Sequence, residues 1–290
     1  MEAGYFKTCW NDIKETPGWL AKVLLLGLVF MIPIFGQIVV FGYVYGWARE
    51  AAWKMKTPMP ARIFGNEDGR LYSRGFFMLV IAFVYSLIPN IAESAWDAMA
   101  GRGLDTASDM VFGSGMHGVL PDLMMLLLFL ALSLFCTLFA EVGCMRSTVY
   151  CRLAPGFQVT RVWAMMRHDS RGVGRILLMS IVMAVVMYVV ISLFVLFVGM
   201  LFGGVALGAF ATGLDSQSVF GSVDPLFLIL AVIAVIVFAA VFTYLVCCMA
   251  VFSLLVQVRA WGHWTSQFDV PAWGGQDDPM PFERYGNPQR

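Results

Sequence analysis

The sequence predicts an all-α, polytopic membrane protein of five or six transmembrane helices, with amphipathic helices lying at the interface. Three observations carry that class. Apolar residues make up 60% of the 290 positions and charged residues 13%, against usual shares of about 45–50% and 25%. The few charges avoid five long stretches, 23–48, 75–92, 123–140, 176–214 and 225–258, which place membrane segments at about 20–47, 75–92, 121–141, 176–202 and 225–258. Those stretches are continuously apolar and do not alternate at period two, which argues for helices over a barrel. A span needs about 20 apolar residues. Nineteen Lys plus Arg cancel nineteen Asp plus Glu, and mean hydropathy is +0.77. A disordered chain, a basic nucleic-acid binder and an ordinary soluble enzyme are all excluded by this balance.

The N-terminal segment reads as an interfacial helix. Phe6, Cys9, Trp10 and Ile13 fall at i, i+3, i+4 and i+7, and Pro17-Gly18 then breaks the chain. The first apolar stretch is interrupted by Pro33 and Gly36. Proline removes a helix hydrogen bond and glycine permits a turn, so the stretch is either one kinked span or a short hairpin. The hairpin is the preferred reading, because it keeps Lys7, Lys14 and Lys22 on the side where basic residues belong. No small-residue cleavage site follows, so the stretch is not read as a cleaved leader.

Lys and Arg in the connections set the orientation. The connections after the first and after the third stretch are basic: Arg49, Lys54, Lys56, Arg62, Arg70 and Arg74 in one, Arg146, Arg152, Arg161, Arg167, Arg171 and Arg175 in the other. Residues 93–122 carry Arg102 alone against five acids, and 215–224 carry no basic residue. Both basic loops are therefore expected on the cytoplasmic side, with the C-terminus there after Arg259 and the N-terminus with it. Val159, Val162, Trp163 and Met166 repeat the helical stripe and suggest a second helix on the inner leaflet. The fourth stretch is expected to end its helix near Leu201 and continue as a glycine-rich segment, 199–213. Asp224-Pro225 is a helix start. Trp261 and Trp264 read as an aromatic belt at the inner interface. Residues 1–264 thus form one integral membrane domain, and the Pro- and Gly-rich residues 265–290 a flexible cytoplasmic tail.

An internal repeat links the basic loops. Gly46, Arg49, Trp53 and Pro58 align with Gly143, Arg146, Tyr150 and Pro155 at a constant offset, followed by Arg74 or Arg175 at the next helix entry. Arg and an aromatic at headgroup depth anchor a helix end and Pro stops it. Both duplication and the ordinary needs of an inner boundary account for the pattern.

Pro33-Ile34-Phe35-Gly36, Gly42-Tyr43, Arg49 and Pro60, with Gly75, Tyr85 and Ile88-Pro89, resemble a prokaryotic family of multi-pass proteins known only as a domain of unknown function. Arg-Ala-Trp-Gly-His at 259–263 is similar to that family's closing segment. The resemblance implies a bacterial or archaeal cell membrane and the loop-and-anchor layout, and it carries over no catalytic or binding residue.

Chemistry is sparse. No Asp, Glu, Lys, Arg or His lies between the ends of the five stretches, which lowers a proton-coupled transporter. Gln37 beside the Pro33–Gly36 break is the one intramembrane polar residue marked for test. The six cysteines form no C-x-x-C and are expected reduced. His117 with Asp109 and Asp122 makes a weak metal candidate. Gly113-Ser114-Gly115 lacks the strand and base of a serine nucleophile. No catalytic, cofactor or metal residue is assigned. The structural and interface candidates are Pro33, Gly36, Gln37, Arg49, Trp53, Arg74, Arg146, Tyr150, Arg175 and Arg259. The resulting expectation is a non-enzymatic membrane component or partner-binding scaffold. Its partners are the bilayer, anionic inner-leaflet lipids met by the basic loops, and a protein or a second copy of the chain. The alternative is a permease or lipid-handling protein using the Pro33–Gly36 break and the 199–213 segment.

Overall fold

Every regular element is helical in the computed structural model, which describes residues 4–65, 68–99, 119–211 and 225–284. Two short helices begin the chain, α1 (Tyr5–Lys14) and α2 (Trp19–Phe30), and α3 (Phe35–Ala52) follows. Then come α4 (Leu71–Met99), α5 (Val119–Tyr150), α6 (Val159–His168), α7 (Ser170–Ala211) and α8 (Pro225–Thr265). Four segments, on α4, α5, α7 and α8 with the turn that follows it, are long and apolar enough to cross a membrane: Leu71–Met99, Leu123–Tyr150, Ser170–Leu196 and Ile233–Phe268.

α2 and α3 form the hairpin. Phe35 N donates to Pro33 O at 2.6 Å, closing a three-residue turn around Ile34, whose φ of +61° is rare for a β-branched residue. The arms fold back on each other. Near the turn, a Cβ on Gly36 would lie 1.9 Å from Val29 O. At the other end Lys22 Nζ donates to Met59 O and Tyr43 OH to Pro60 O, both at 2.9 Å. The tip carries Met31, Ile32, Ile34 and Phe35 exposed. Bare apolar side chains at the end of a hairpin suit hydrocarbon and not water. With 12 residues α2 reaches about 18 Å, short of a bilayer's roughly 30 Å.

Packing is concentrated at one end of the bundle. α4 is buried from Leu71 to Tyr85 and α5 in its C-terminal half, from Cys136 to Val149. Among the described residues, no side chain of α7 beyond Ile176 is buried, and none of α8 before Cys248. The four long helices alternate in direction: Met78 O meets Cys144 Sγ, Trp264 lies against Gly172, and Phe194 stacks on Phe242. The α3–α4 connection, the α5–α7 connection, α1 and the C-terminal residues therefore share one end, called the cap below.

The cap holds because backbones meet there without side chains between them. A Cβ on Gly75 would stand 1.8 Å from Ile38 O, and one on Gly42 2.1 Å from Leu71 O. Small residues allow such close approach where helices pack in a membrane.

Several boundaries differ from the sequence reading. α5 runs nine residues past Glu141 to Tyr150, because charge marks where apolar composition stops and not where a helix stops. α7 continues through the glycines to Ala211, so 199–211 is helix; residues 212 and 213 lie outside the described residues. Trp261 and Trp264 are 2% and 0% exposed and pack edge-to-face in the core, not in an interfacial belt. The flexible tail is expected over 265–290; residues 265–284 are anchored to the core at a few positions, and 285–290 lie outside the described residues. Phe268, Val270 and Met280 are buried there, with Trp273 and Phe282 packed against the same core. These apolar anchors outweigh the turn-forming Pro and Gly between them.

Candidate functional site: a charged cap and two grooves

Most of the residues marked in the sequence come together in the cap, in three clusters and a groove. The first cluster is a buried ion pair. Arg259, 1% exposed, donates from Nε to Asp12 Oδ2 at 2.8 Å and from Nη1 to Trp47 O at 2.6 Å, with its guanidinium 4.3 Å above the Trp47 ring. His263, one turn on, shares Asp12 Oδ2 at 2.8 Å. One guanidinium thus ties α1, α3 and α8 together. Burial pushes the Asp12 carboxyl up, but hydrogen bonds from His263 and Arg259 and the guanidinium charge outweigh it, leaving it below its ordinary value. Gly262 between them presses against Ala48 O. The 259–263 segment is therefore a clamp. Asp12 is not among the sequence candidates; its only signal is an acid on an amphipathic helix otherwise flanked by lysines.

The second cluster gathers Arg49, Trp53 and Arg74 around a cavity of about 440 Å³ with Gly42, Gly46 and Asp68. Arg74 is 7% exposed, donates to Gly42 O at 3.1 Å and pairs with Asp68. Asp68 is pushed up by burial and pulled further down by the Arg74 charge, the Arg70 N–H and Arg49, so it sits below its ordinary value. Arg49 Nε is buried without a partner among the described residues.

The third cluster holds Arg146 and Tyr150. Arg146 is fully buried and donates from Nη2 to Gln158 Oε1 at 2.7 Å and Gln276 O at 3.4 Å; its Nε and Nη1 have no partner among the described residues. Tyr150 lies 5.8 Å from that guanidinium and against Trp273. Arg161 ties the C-terminal residues down through Glu283 at 2.7 Å. The two repeat copies meet different neighbours. Gly46 faces the Arg74 guanidinium, whereas Gly143 faces Gly156 O. The repeat is one of spacing and not of contacts.

Arg175 stands apart. It is exposed in a groove of about 900 Å³ between α1, the start of α7 and the end of α8. Pro33 and Gly36 belong to the hairpin tip, and Gln37 is half-buried in the first turn of α3.

A further groove of about 390 Å³ lies between α4 and α5, lined by Ser86, Asn90, Glu93, Ser133, Thr137 and Glu141. Glu141, half-buried, accepts from Tyr45 OH at 2.8 Å. Ser86, Asn90 and Thr137 each donate back to their own helix, the usual partner for a polar side chain in a membrane helix. Charge counting ends the stretch at Glu141 and so misses a carboxylate inside a helix that is long enough to span. Among the described residues, no group of three or more His, Cys, Asp or Glu is placed to hold a metal. His117, Asp109 and Ser114 lie outside the described residues, as does the Asp122 side chain.

The family described as Protein of unknown function (DUF4013) matches residues 25–198, well over half of the chain. The chain belongs to this family. The match takes in the hairpin from residue 25 onward, the Arg49–Arg74 cavity, and Arg146 and Tyr150 of this DUF4013 protein. The Asp12–Arg259 clamp lies at both ends outside it. No curated protein and no solved structure matches the chain.

Proposed function

We propose that this DUF4013 protein is a non-enzymatic, multi-pass component of a prokaryotic cytoplasmic membrane, with the cap on the cytoplasmic side. One observation carries the reading: the two connections that hold six basic residues each, the N-terminal helix and the C-terminal residues all share the cap. Arginine and lysine excess marks the cytoplasmic side of a membrane protein. Arg74, Arg146 and Arg259 bond to this chain's own carbonyls, amide and carboxylates, a role in construction and not in turnover. The cap is then a rigid platform offered to a protein partner or a second copy, with anionic lipids around its rim. Purification in a mild detergent with mass spectrometry of what accompanies the protein tests this. A stoichiometric protein companion is expected.

The α4–α5 groove favours one second reading, a permease or lipid-handling protein. An ionisable residue inside a membrane helix is a functional candidate by default, and Glu141 is one. Pro33–Gly36 is the turn of a hairpin whose tip is apolar, which gives a permease little to bind there. Solute or lipid movement by the purified protein in liposomes, lost in Glu141→Gln, would replace the first reading with this one.

A further inference from the structure

We infer that the groove between α1, α7 and α8 is a binding site for one anionic phospholipid, its phosphate held by Arg171 and Arg175 and an acyl chain laid along Leu178, Val182 and Val186. All five line the groove. The inference rests on the membrane-component reading and names a specific lipid site within it.

Among the described residues, the charge at the mouth is uncompensated. Arg171 and Arg175 are one turn apart on the same face of α7, both exposed, and neither takes part in an ion pair among the described residues. The acid beside them, Asp169, is already committed. It accepts from Gln267 Nε2 at 2.8 Å, from Gly172 N at 3.0 Å and from Trp264 Nε1 at 3.1 Å. Two guanidiniums with free donors offer the geometry that phosphate takes.

Below the arginines the groove turns wholly apolar. Leu178, Val182 and Val186 recur every fourth residue and are 64%, 54% and 48% exposed, so no described element of this chain covers them. From Arg175 to Val186 the helix rises about 16 Å, close to half of a roughly 30 Å hydrocarbon core. That is the reach of one acyl chain in one leaflet. The volume of about 900 Å³ is at the top of the range for ligand pockets, and a soluble anion would use only the mouth. Headgroup charge and chain length therefore both fit a lipid of the leaflet that borders the cap.

The test uses the full chain in nanodiscs of phosphatidylcholine with a graded fraction of phosphatidylglycerol, read by native mass spectrometry of retained lipid. Both leaflets then have the same composition, so failure speaks to the groove and not to which side the cap faces. The wild type is expected to retain one phosphatidylglycerol in preference to phosphatidylcholine. Arg171→Gln with Arg175→Gln should lower that preference about thirtyfold. Val182→Trp, which fills the apolar arm and keeps both charges, should lower it as well. Arg62→Gln with Arg152→Gln, in the basic loops away from the groove, should leave it unchanged. An equal loss in that control pair, or full retention in the groove variants, would overturn the site in favour of diffuse surface charge. Inorganic phosphate competing with the lipid at millimolar concentration would overturn it in favour of a free-anion site.

Discussion

Arg259 and Asp12 stand 247 positions apart in the chain and 2.8 Å apart in space, with the arginine 1% exposed. This pair joins α1 to the end of α8. An isolated buried guanidinium is costly, so α8 can end where it does only if α1 brings its carboxylate.

Asp12→Ala leaves that guanidinium without its charge partner. Removal of one member of a buried ion pair costs about 3–5 kcal/mol. Thermal unfolding of the detergent-purified protein should show a loss of that order. Replacing both members, as Asp12→Leu with Arg259→Met, should recover much of it, because the uncompensated charge goes too. A double variant no better than Asp12→Ala would assign the effect to packing on Trp47 instead.

The same pair fixes an acid dependence. Asp12 titrates below its ordinary value of 3.8 in the folded protein. Such a group contributes stability that is fully present above the unfolded value and is lost as pH falls through the lowered folded one. The melting temperature should therefore fall as pH is lowered below about 4. In Asp12→Asn, which has no carboxyl to titrate, the melting temperature is lower but the slope is shallower. Some slope remains, because Asp68 is shifted in the same direction. Equal slopes in the two proteins would refute the assignment.

Two glycines separate close packing from mere presence. A Cβ on Gly75 would stand 1.8 Å from Ile38 O, while one on Gly174 would meet nothing within 4 Å. Gly75→Ala must force α3 and α4 apart at a cost of about 1–3 kcal/mol. Gly174→Ala, in the exposed first turns of α7, should raise stability by about 0.5–1 kcal/mol. The comparison is made by melting both variants beside the wild type.

Met280 tests whether the C-terminal residues belong to the fold. It is 2% exposed, and truncation of a buried methionine costs about 2–5 kcal/mol. Met280→Ala should lower the melting temperature clearly. No change would return residues 265–284 to the status of a flexible tail.

The four long helices and the hairpin are legible in the charge gaps, because an uncharged apolar run of about 20 residues matches the thickness of a hydrocarbon core. Pro33 and Gly36 mark the turn by local chemistry alone. Long-range pairing is not legible. Asp12 carries no mark of its partners, which enter 247 and 251 residues later. Trp261 and Trp264 have the composition of an interfacial belt, and long-range packing buries them, with Trp264 against Gly172 of α7 and Phe268. Glu141 escapes notice because charge is used to end a helix that continues for nine more residues. Of the ten candidates, Arg49, Trp53, Arg74, Arg146, Tyr150 and Arg259 meet in the cap, Arg175 opens the lipid groove, and Pro33, Gly36 and Gln37 serve the hairpin.

One charged cap, holding α1 and the C-terminal residues up to Arg284, is proposed to face the cytoplasm. Single cysteines at Glu15 and Ala272, both exposed in the cap, and at Ala98, exposed at the far end of α4, test it with a membrane-impermeant maleimide. In a background with the half-buried Cys151 and Cys247 changed to serine, native Cys9 stays silent, being buried with its thiol pushed up to about 12 by desolvation. Positions 15 and 272 should label together in inverted vesicles and be protected in right-side-out ones, with 98 showing the reverse. Labelling of 15 and 272 from opposite sides, or of both from outside, would contradict the account.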